Sequence, residues 1–441
     1  MKIAIIDADL IGNKKHRFPN LVCMKLSGYY KKLDNEVTLI TDWGQLYYDE
    51  NLWNEYQQAF EEYSKVYKKM KIKPEIASAL SIAQSKCFNE DNIKFDKIFI
   101  SKVFTDTEID EDFLELDIVE YGGTGFFYDK APNLPKEIEH HMPDYHLYDT
   151  WVNEQLEAGG KRQDFTYYLD YSIGFMTRGC IRRCSFCVNK NYISCELHSN
   201  LSEFLDESRP YICLLDDNVL ACKEWRKVFD MLIATGKKFQ FKQGCDERLL
   251  TDEKCDILFN KSKWIGDRIF AFDNIKDRDI IEKKLQMIRR HTNNQIKFYT
   301  FCGYNHDNIG VYDEDFWVRD IIDLFERIKI LMTYGCLPYV MRYKDYELSP
   351  YRGIYITAAS WCNQPSLFRK MTFEEFSKAR GMNNEDYKKY KLDFDSYLAD
   401  GGKKGSCWRY YDEFSEKYPE IAEKYFHIKW NYSNKNNREV I

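Results

Sequence analysis

The chain has 441 residues, 44% hydrophobic and 31% charged, enough for two or three domains with sizeable cores. Its 64 basic and 71 acidic residues leave a net charge of -7, which gives no general case for nucleic-acid binding, and no apolar run approaches the roughly 20 residues that span a bilayer. The opening Met1-Lys2-Ile3-Ala4-Ile5-Ile6 is broken by Asp7 and Asp9, so it reads as a first strand and not an export signal, and the expected location is the cytoplasm.

Residues 1–150 read as an open α/β unit. Strands are expected at Lys2–Ile6, Glu36–Ile40, Phe95–Val103 and Leu116–Glu120, the last followed by Gly122-Gly123-Thr124-Gly125. Helical spacing of Leu21, Met24 and Leu26 marks a helix over Pro19–Leu33, and regularly placed aromatics mark another over Glu50–Lys71. Alternation of strand and helix implies a parallel sheet. Residues 132–168 carry Pro132, Pro135 and Pro143 and read as a connection. His140 and His141 lie there beside Glu137 and Glu139, and are expected at a solvated helix end before a metal site, because adjacent helical residues point apart.

From 151 to 345 a strand–helix alternation repeats. Strands are expected at Tyr171–Met176, Tyr211–Leu215, Lys238–Lys242, Arg268–Phe272, Ile296–Phe301 and Leu337–Met341, with helices such as Trp225–Leu232 and Phe316–Met332 between them. A partial (βα)6 barrel is the simplest closure. Residues 346–441 read as a mainly α extension, with helices at Phe373–Ala379 and Pro419–Tyr425 and a polar tail, Lys429–Arg438, expected to be poorly ordered.

Fourteen cysteines are scattered through the chain, and nine or ten of them suit the role of small buried hydrophobes. Three do not: Cys180, Cys184 and Cys187, in the run Thr177-Arg178-Gly179-Cys180-Ile181-Arg182-Arg183-Cys184-Ser185-Phe186-Cys187. One loop with this spacing can wrap three corners of an iron–sulfur cubane and leave the fourth iron open. Arg178, Arg182 and Arg183 would offset the thiolate charge. Zinc is the competing metal; it wants four ligands, and Cys195 with His198 beyond it would have to complete the set.

Functional groups in such barrels collect where strands end. Here the strands end in Asp216-Asp217-Asn218, Gln243 to Arg248, Asp273-Asn274, Gly303-Tyr304-Asn305 and Arg342-Tyr343. Each of these residues has a plainer alternative, such as capping the next helix.

With these residues the sequence resembles the radical S-adenosylmethionine (SAM) superfamily. Cys180-x-x-x-Cys184-x-x-Cys187, with Phe186 before the last cysteine, is similar to that superfamily's cluster motif. Thr177-Arg178-Gly179 resembles the lead-in of its cobalamin-domain enzymes and methylthiotransferases, and the first 150 residues resemble a cobalamin-binding-type Rossmann domain. The resemblance implies a [4Fe–4S] cluster whose open iron takes SAM. One-electron cleavage would then give methionine and a 5′-deoxyadenosyl radical that abstracts hydrogen from a substrate. It also implies a reducing partner such as flavodoxin or ferredoxin. By position, Asp216, Asp217 and Asn218 match the segment that meets the SAM amino group, and Phe186 the adenine neighbour. Gln243, Asp246, Arg248 and Asp273 are further candidates for SAM or substrate, and Arg342 for a carboxylate or phosphate.

The chain departs from that pattern in two places. No Asp-x-His-x-x-Gly occurs in the first domain, where Asp9 and Gly12 enclose no His and His16 has the wrong spacing, so cobalamin-assisted methylation stays open. Only Cys23 and Cys87 lie there, too few for a second cluster. The alternatives are a nucleic-acid-modifying enzyme of methylthiotransferase-like type, suggested by the basic runs Arg178–Lys190 and Lys283–Arg290, and a non-enzymatic zinc- or cluster-binding protein.

Overall fold

A computed structural model describes residues 1–12, 17–67 and 74–432. His16, the end of the expected helix at 68–71 and the tail from 433 lie outside the described residues. The strands are, in chain order, β1 (Lys2–Asp7), β2 (Glu36–Ile40), β3 (Lys97–Ser101), β4 (Val119–Gly122), β5 (Tyr171–Gly174), β6 (Thr177–Arg178), β7 (Glu196–Leu197), β8 (Tyr211–Leu214), β9 (Lys238–Phe241), β10 (Arg268–Ala271), β11 (Ile296–Cys302) and β12 (Leu337–Arg342). All ten strands expected from the sequence form, and β6 and β7 are additional. The chain is α/β with parallel sheets and divides into two compact units.

The first unit comprises Met1–Met176, Cys187–Asn191 and His198–Leu214. Its main sheet runs β2-β1-β3-β4, every pair parallel. The order reverses between β1 and β3, where such sheets open a crevice at their C-terminal ends. Ile3 and Ile5 face one side and Ala4 and Ile6 the other, so each face of β1 buries apolar side chains. On the first face lies the helix Leu21–Lys32. Asn20 starts it by accepting hydrogen bonds from the Val22 and Cys23 N–H groups. The proline-bearing stretch read as a connection joins this core through Ile138, Tyr145, Leu147, Tyr148 and Val152. Proline breaks regular structure there, but the aromatic and aliphatic residues between the prolines still bury. Tyr145 Oη donates to the Phe204 carbonyl at 2.6 Å, and the buried Arg209 guanidinium donates to the Tyr168 and Tyr145 carbonyls at 2.7 and 2.9 Å. β5 and β8 pair in parallel within the same unit.

The second unit comprises Thr177–Phe186, Tyr192–Leu197 and Leu215–Ile441. β10, β11 and β12 form a parallel sheet, and β6 and β7 a short antiparallel ladder. The long helix Glu314–Thr333 is capped by Asp313, whose carboxylate accepts from the Phe316 N–H at 2.7 Å. Its stripe of Phe316, Ile321, Leu324, Phe325 and Ile328 packs against residues as far along as Phe426, so segment 346–432 shares this core. Arg327, on the same helix, is buried and donates to the Phe272 and Phe301 carbonyls at 2.8 and 2.9 Å, tying the ends of β10 and β11 together. The basic run expected as a nucleic-acid contact lies in the helix Arg278–His291. There Arg289 is buried and donates to the Tyr334, Asn294 and Gly335 carbonyls, so part of that charge serves the fold.

Candidate metal and ligand site

The cysteine-bearing loop leaves β6 and returns at β7, whose residues pair Thr177 with Leu197 and Arg178 with Glu196. Gly179 opens the loop at φ 95°, and a Cβ there would stand 2.2 Å from the Ser194 carbonyl oxygen. Only glycine fits both that backbone and that contact. Asp216 accepts from both the N–H and the hydroxyl of Thr177 at 2.6 Å, and Asp217 accepts from the Gly179 N–H at 2.9 Å. Burial pushes the Asp217 carboxyl up, against the pull of that N–H and the Arg178 charge. The acidic pair after β8 therefore grips the base of the loop.

Asn218 stands next in line. Its Nδ2 donates to Cys180 Sγ at 3.4 Å, while its Oδ1 is buried with no hydrogen-bond partner. An unsatisfied buried acceptor is costly, so its place beside a candidate ligand sulfur marks a position for a donor from outside the chain. Backbone N–H groups point at two of the sulfurs: Arg182 to Cys180 and Asn189 to Cys187, both at 3.4 Å. Ten cysteines are buried; Cys180, Cys184 and Cys187 are half-buried, as is Cys407. Soft thiols with N–H···S bonds are a suitable donor set for iron–sulfur chemistry. Among the described residues no three His, Cys, Asp or Glu side chains stand close enough to hold a metal ion as they are.

The zinc set expected with Cys195 is disfavoured. That thiol is buried, donates to the Asn218 carbonyl at 3.3 Å, and is pushed by burial up to about 12, so it stays protonated at neutral pH. His198 pairs with Ser199 Oγ at 2.9 Å and faces Glu139 at 3.5 Å. Its ring stacks on His140, which holds Glu203 at 2.7 Å.

The remaining expected residues divide. Asp246 is bound by Arg182, on the cysteine loop, and by Arg248 Nε at 2.8 Å; Arg248 also reaches Asp277 at 2.6 Å. Burial alone would raise the Asp246 pKa, but the two guanidinium groups hold it below the ordinary carboxylate value. Phe186 stacks on Phe301 at 4.2 Å with the edges of Tyr304 and His306 beside it, and Tyr304 Oη donates to Ser185 Oγ at 2.8 Å. Phe301 thus already occupies part of the surface expected to meet an adenine. Asp273 accepts from the Phe301 N–H at 3.1 Å, and its carboxyl, raised by burial against the Arg327 charge, lies at about 6. Gln243 and Arg342 are exposed, the latter with its guanidinium over the Tyr346 ring. Gln243 and Arg342 are not brought to the loop by any of these contacts, and Asp273 reaches it through Phe301 alone.

Two features were missed in the sequence. Glu247 is buried and accepts from the Ala271 N–H at 3.1 Å through Oε2, while its Oε1 has no hydrogen-bond partner and lies 4.0 Å from Arg248 Nε. Burial, with Asp246 beside it, pushes its pKa up to about 8. The Phe301–Tyr304 platform was missed as well. Glu247 was visible within the polar run after β9, but nothing in the run tells an exposed glutamate from a buried one.

At the crevice of the first unit the polar groups satisfy one another. Tyr148 Oη donates to Asp7 at 2.8 Å, Asn20 Nδ2 donates to Ser101 Oγ at 3.0 Å, and Asp9 accepts from the Val103 N–H and the Thr107 hydroxyl at 2.7 and 2.6 Å. None of the orphaned buried side-chain atoms among the described residues lies in this unit.

No family model matches the sequence, and no curated protein matches it. Among solved structures, the chain is similar to "Cobalamin-dependent S-adenosylmethionine radical enzyme OxsB with aqua-cobalamin bound", with a TM-score of 0.29 and 13% identity over 77% of this chain and 49% of that one. The chain spans about half the length of that protein, and a likeness at this level carries no argument.

Proposed function

We propose that this chain is a radical SAM enzyme, with Cys180, Cys184 and Cys187 holding a [4Fe–4S] cluster and SAM bound beside them. The observation that carries the reading is Asn218, which donates to Cys180 Sγ while its buried Oδ1 waits for a donor. The SAM ammonium is such a donor. When bound, the cluster supplies the electron that splits the sulfonium, drawn from a partner such as flavodoxin or ferredoxin. The chain's own residues do the rest. Asp216 and Asp217 fix the loop base, Arg182 is steered by Asp246, and Phe186 is held by Phe301 and Tyr304. Along the chain from β5 to β12, α-helices follow β8, β9, β10, β11 and β12, while β5 is followed by the ladder of β6 and β7 and by a single short turn of helix at Leu201–Glu203, so five of the six expected strand–helix steps support the reading.

Anaerobic reconstitution with iron and sulfide tests the reading. The protein should bind about four irons, as a cubane requires, and release methionine from SAM on reduction. Cys184→Ala should lose both. A protein that takes up zinc but no iron, or a Cys184→Ala variant that still cleaves SAM, would overturn it.

A further inference from the structure

The glycine-rich turn after β4 has no role in the reaction just described, yet it is built with care. Gly123 has φ 109°, and a Cβ there would lie 2.2 Å from the Lys102 carbonyl oxygen; one on Gly125 would lie 2.6 Å from that of Phe104. Gly125 N–H donates to the Lys102 carbonyl at 3.0 Å, and Thr124 Oγ1 to the Val103 carbonyl at 3.1 Å. The glycines therefore seat the turn directly on the chain leaving β3. What the turn carries is Tyr128, at φ 50°, and Asp129. A bulky residue in the left-handed region is rare and persists only where its surroundings hold it.

The surroundings are the segment that follows the last cysteine of the motif. Lys190 Nζ lies 3.1 Å from Asp129 Oδ2 and 5.5 Å from the centre of the Tyr128 ring. Asn191 Nδ2 donates to the Asp129 carbonyl at 2.8 Å. Side-chain exposure at the ion pair is 18% for Asp129 and 33% for Lys190, so the contact is partly shielded from solvent. The Lys190 charge holds the Asp129 carboxyl below its ordinary pKa. The segment Cys187–Asn191 packs within the first unit, and the N–H of Asn189, the residue before the gripped pair, bonds Cys187 Sγ.

We infer that Tyr128 and Asp129 are positioning residues. They form a clamp, seated by Gly123 and Gly125, that fixes the chain leaving Cys187 and so places the third sulfur of the motif. The clamp and the segment Cys187–Asn191 that it holds both lie in the first unit. The inference rests on the reading of Cys187 as a cluster ligand for its consequence, though not for the clamp itself. A thiolate that must meet an iron within tenths of an ångström depends on what holds its backbone.

Charge exchange separates the clamp from simple damage to the fold. The variants are Asp129→Lys, Lys190→Asp and the double exchange, each checked for an unchanged circular dichroism spectrum. In the metal-free protein, hydrogen exchange of the peptide 187–192 should quicken several-fold in each single variant and return towards the parent rate in the double. After anaerobic reconstitution, the single variants should lose at least half of the bound iron or show an altered EPR signal for the reduced cluster, and the double should recover both. Single variants that match the parent in exchange would sink the clamp. Quickened exchange with iron and EPR signal unchanged would sink its role in placing Cys187. If the parent itself takes up no iron, the proposed function fails, while the exchange data still decide whether the clamp exists.

Discussion

Asn218 is the residue on which the functional reading turns. Replacing it with Ala removes the orphaned acceptor and the donor to Cys180 together, but leaves Asp216 and Asp217 holding Thr177 and Gly179. One lost charge-assisted hydrogen bond corresponds to about 1.5–3 kcal/mol, roughly 10- to 100-fold in affinity. We expect Asn218→Ala to retain its iron and to bind SAM that much more weakly, read by titration calorimetry on the reconstituted protein. Unchanged affinity would remove Asn218 from the ligand site. Asp217 suits this test less well, because its loss frees the Gly179 N–H and disturbs the loop itself. The sequence placed the three residues together after one strand, yet the division of labour among them, two as struts and one with a free acceptor, depends on distances that sequence position does not contain.

At the scale of elements, the loop between β6 and β7 is defined by its entry. Gly179 must take φ 95° with the Ser194 carbonyl against it. In Gly179→Ala the methyl group meets backbone, which cannot swing aside as a side chain can. We expect a loss on the order of 1–3 kcal/mol in urea unfolding, the scale of a strained backbone position, together with poor iron retention. An alanine variant with the parent's stability and iron content would show that the loop tolerates another entry. The cysteine spacing was legible because it is local. So were the ten strands, whose apolar runs alternate with helical stripes such as Phe316, Ile321, Leu324 and Phe325. The ladder of β6 and β7 was not, because each strand is two residues long and Thr177 pairs with Leu197 and Arg178 with Glu196 across the whole cysteine loop. The packed stretch 132–168 was also hidden. Its prolines suppress periodicity, while Tyr145 and Tyr148 bury through contacts with residues far along the chain, Phe204 and Asp7.

Across the whole molecule, burial of carboxyl groups sets a pH dependence that no single site reveals. Glu247 is raised from 4.5 to about 8, Asp7 from 3.8 to about 7, and Asp273 and Asp320 from 3.8 to about 6, each mainly by loss of water. Between the unfolded and folded values of each group, the native state holds a proton that the unfolded chain has released. Stability is then full below the unfolded value and falls as pH rises through the folded one. Carboxyls held low by partners, such as Asp246 and Asp144, act in the opposite sense, but only below about pH 5, where the unfolded forms begin to protonate. His306, lowered by burial, also opposes the trend below its ordinary 6.5. In the window from pH 5.5 to 8 the four raised acids outweigh that single imidazole. We therefore expect the metal-free protein to be less stable at pH 8 than at pH 5.5, by an amount on the order of a few kcal/mol, in urea unfolding at fixed ionic strength. Glu247→Gln keeps the shape of the buried acid without its ionisation, so it should flatten the upper part of that slope, from pH 6 to 8. A slope of opposite sign, or one that Glu247→Gln leaves untouched, would mean that Glu247 reaches solvent or a cation when it ionises, and its orphaned Oε1 would no longer count as buried.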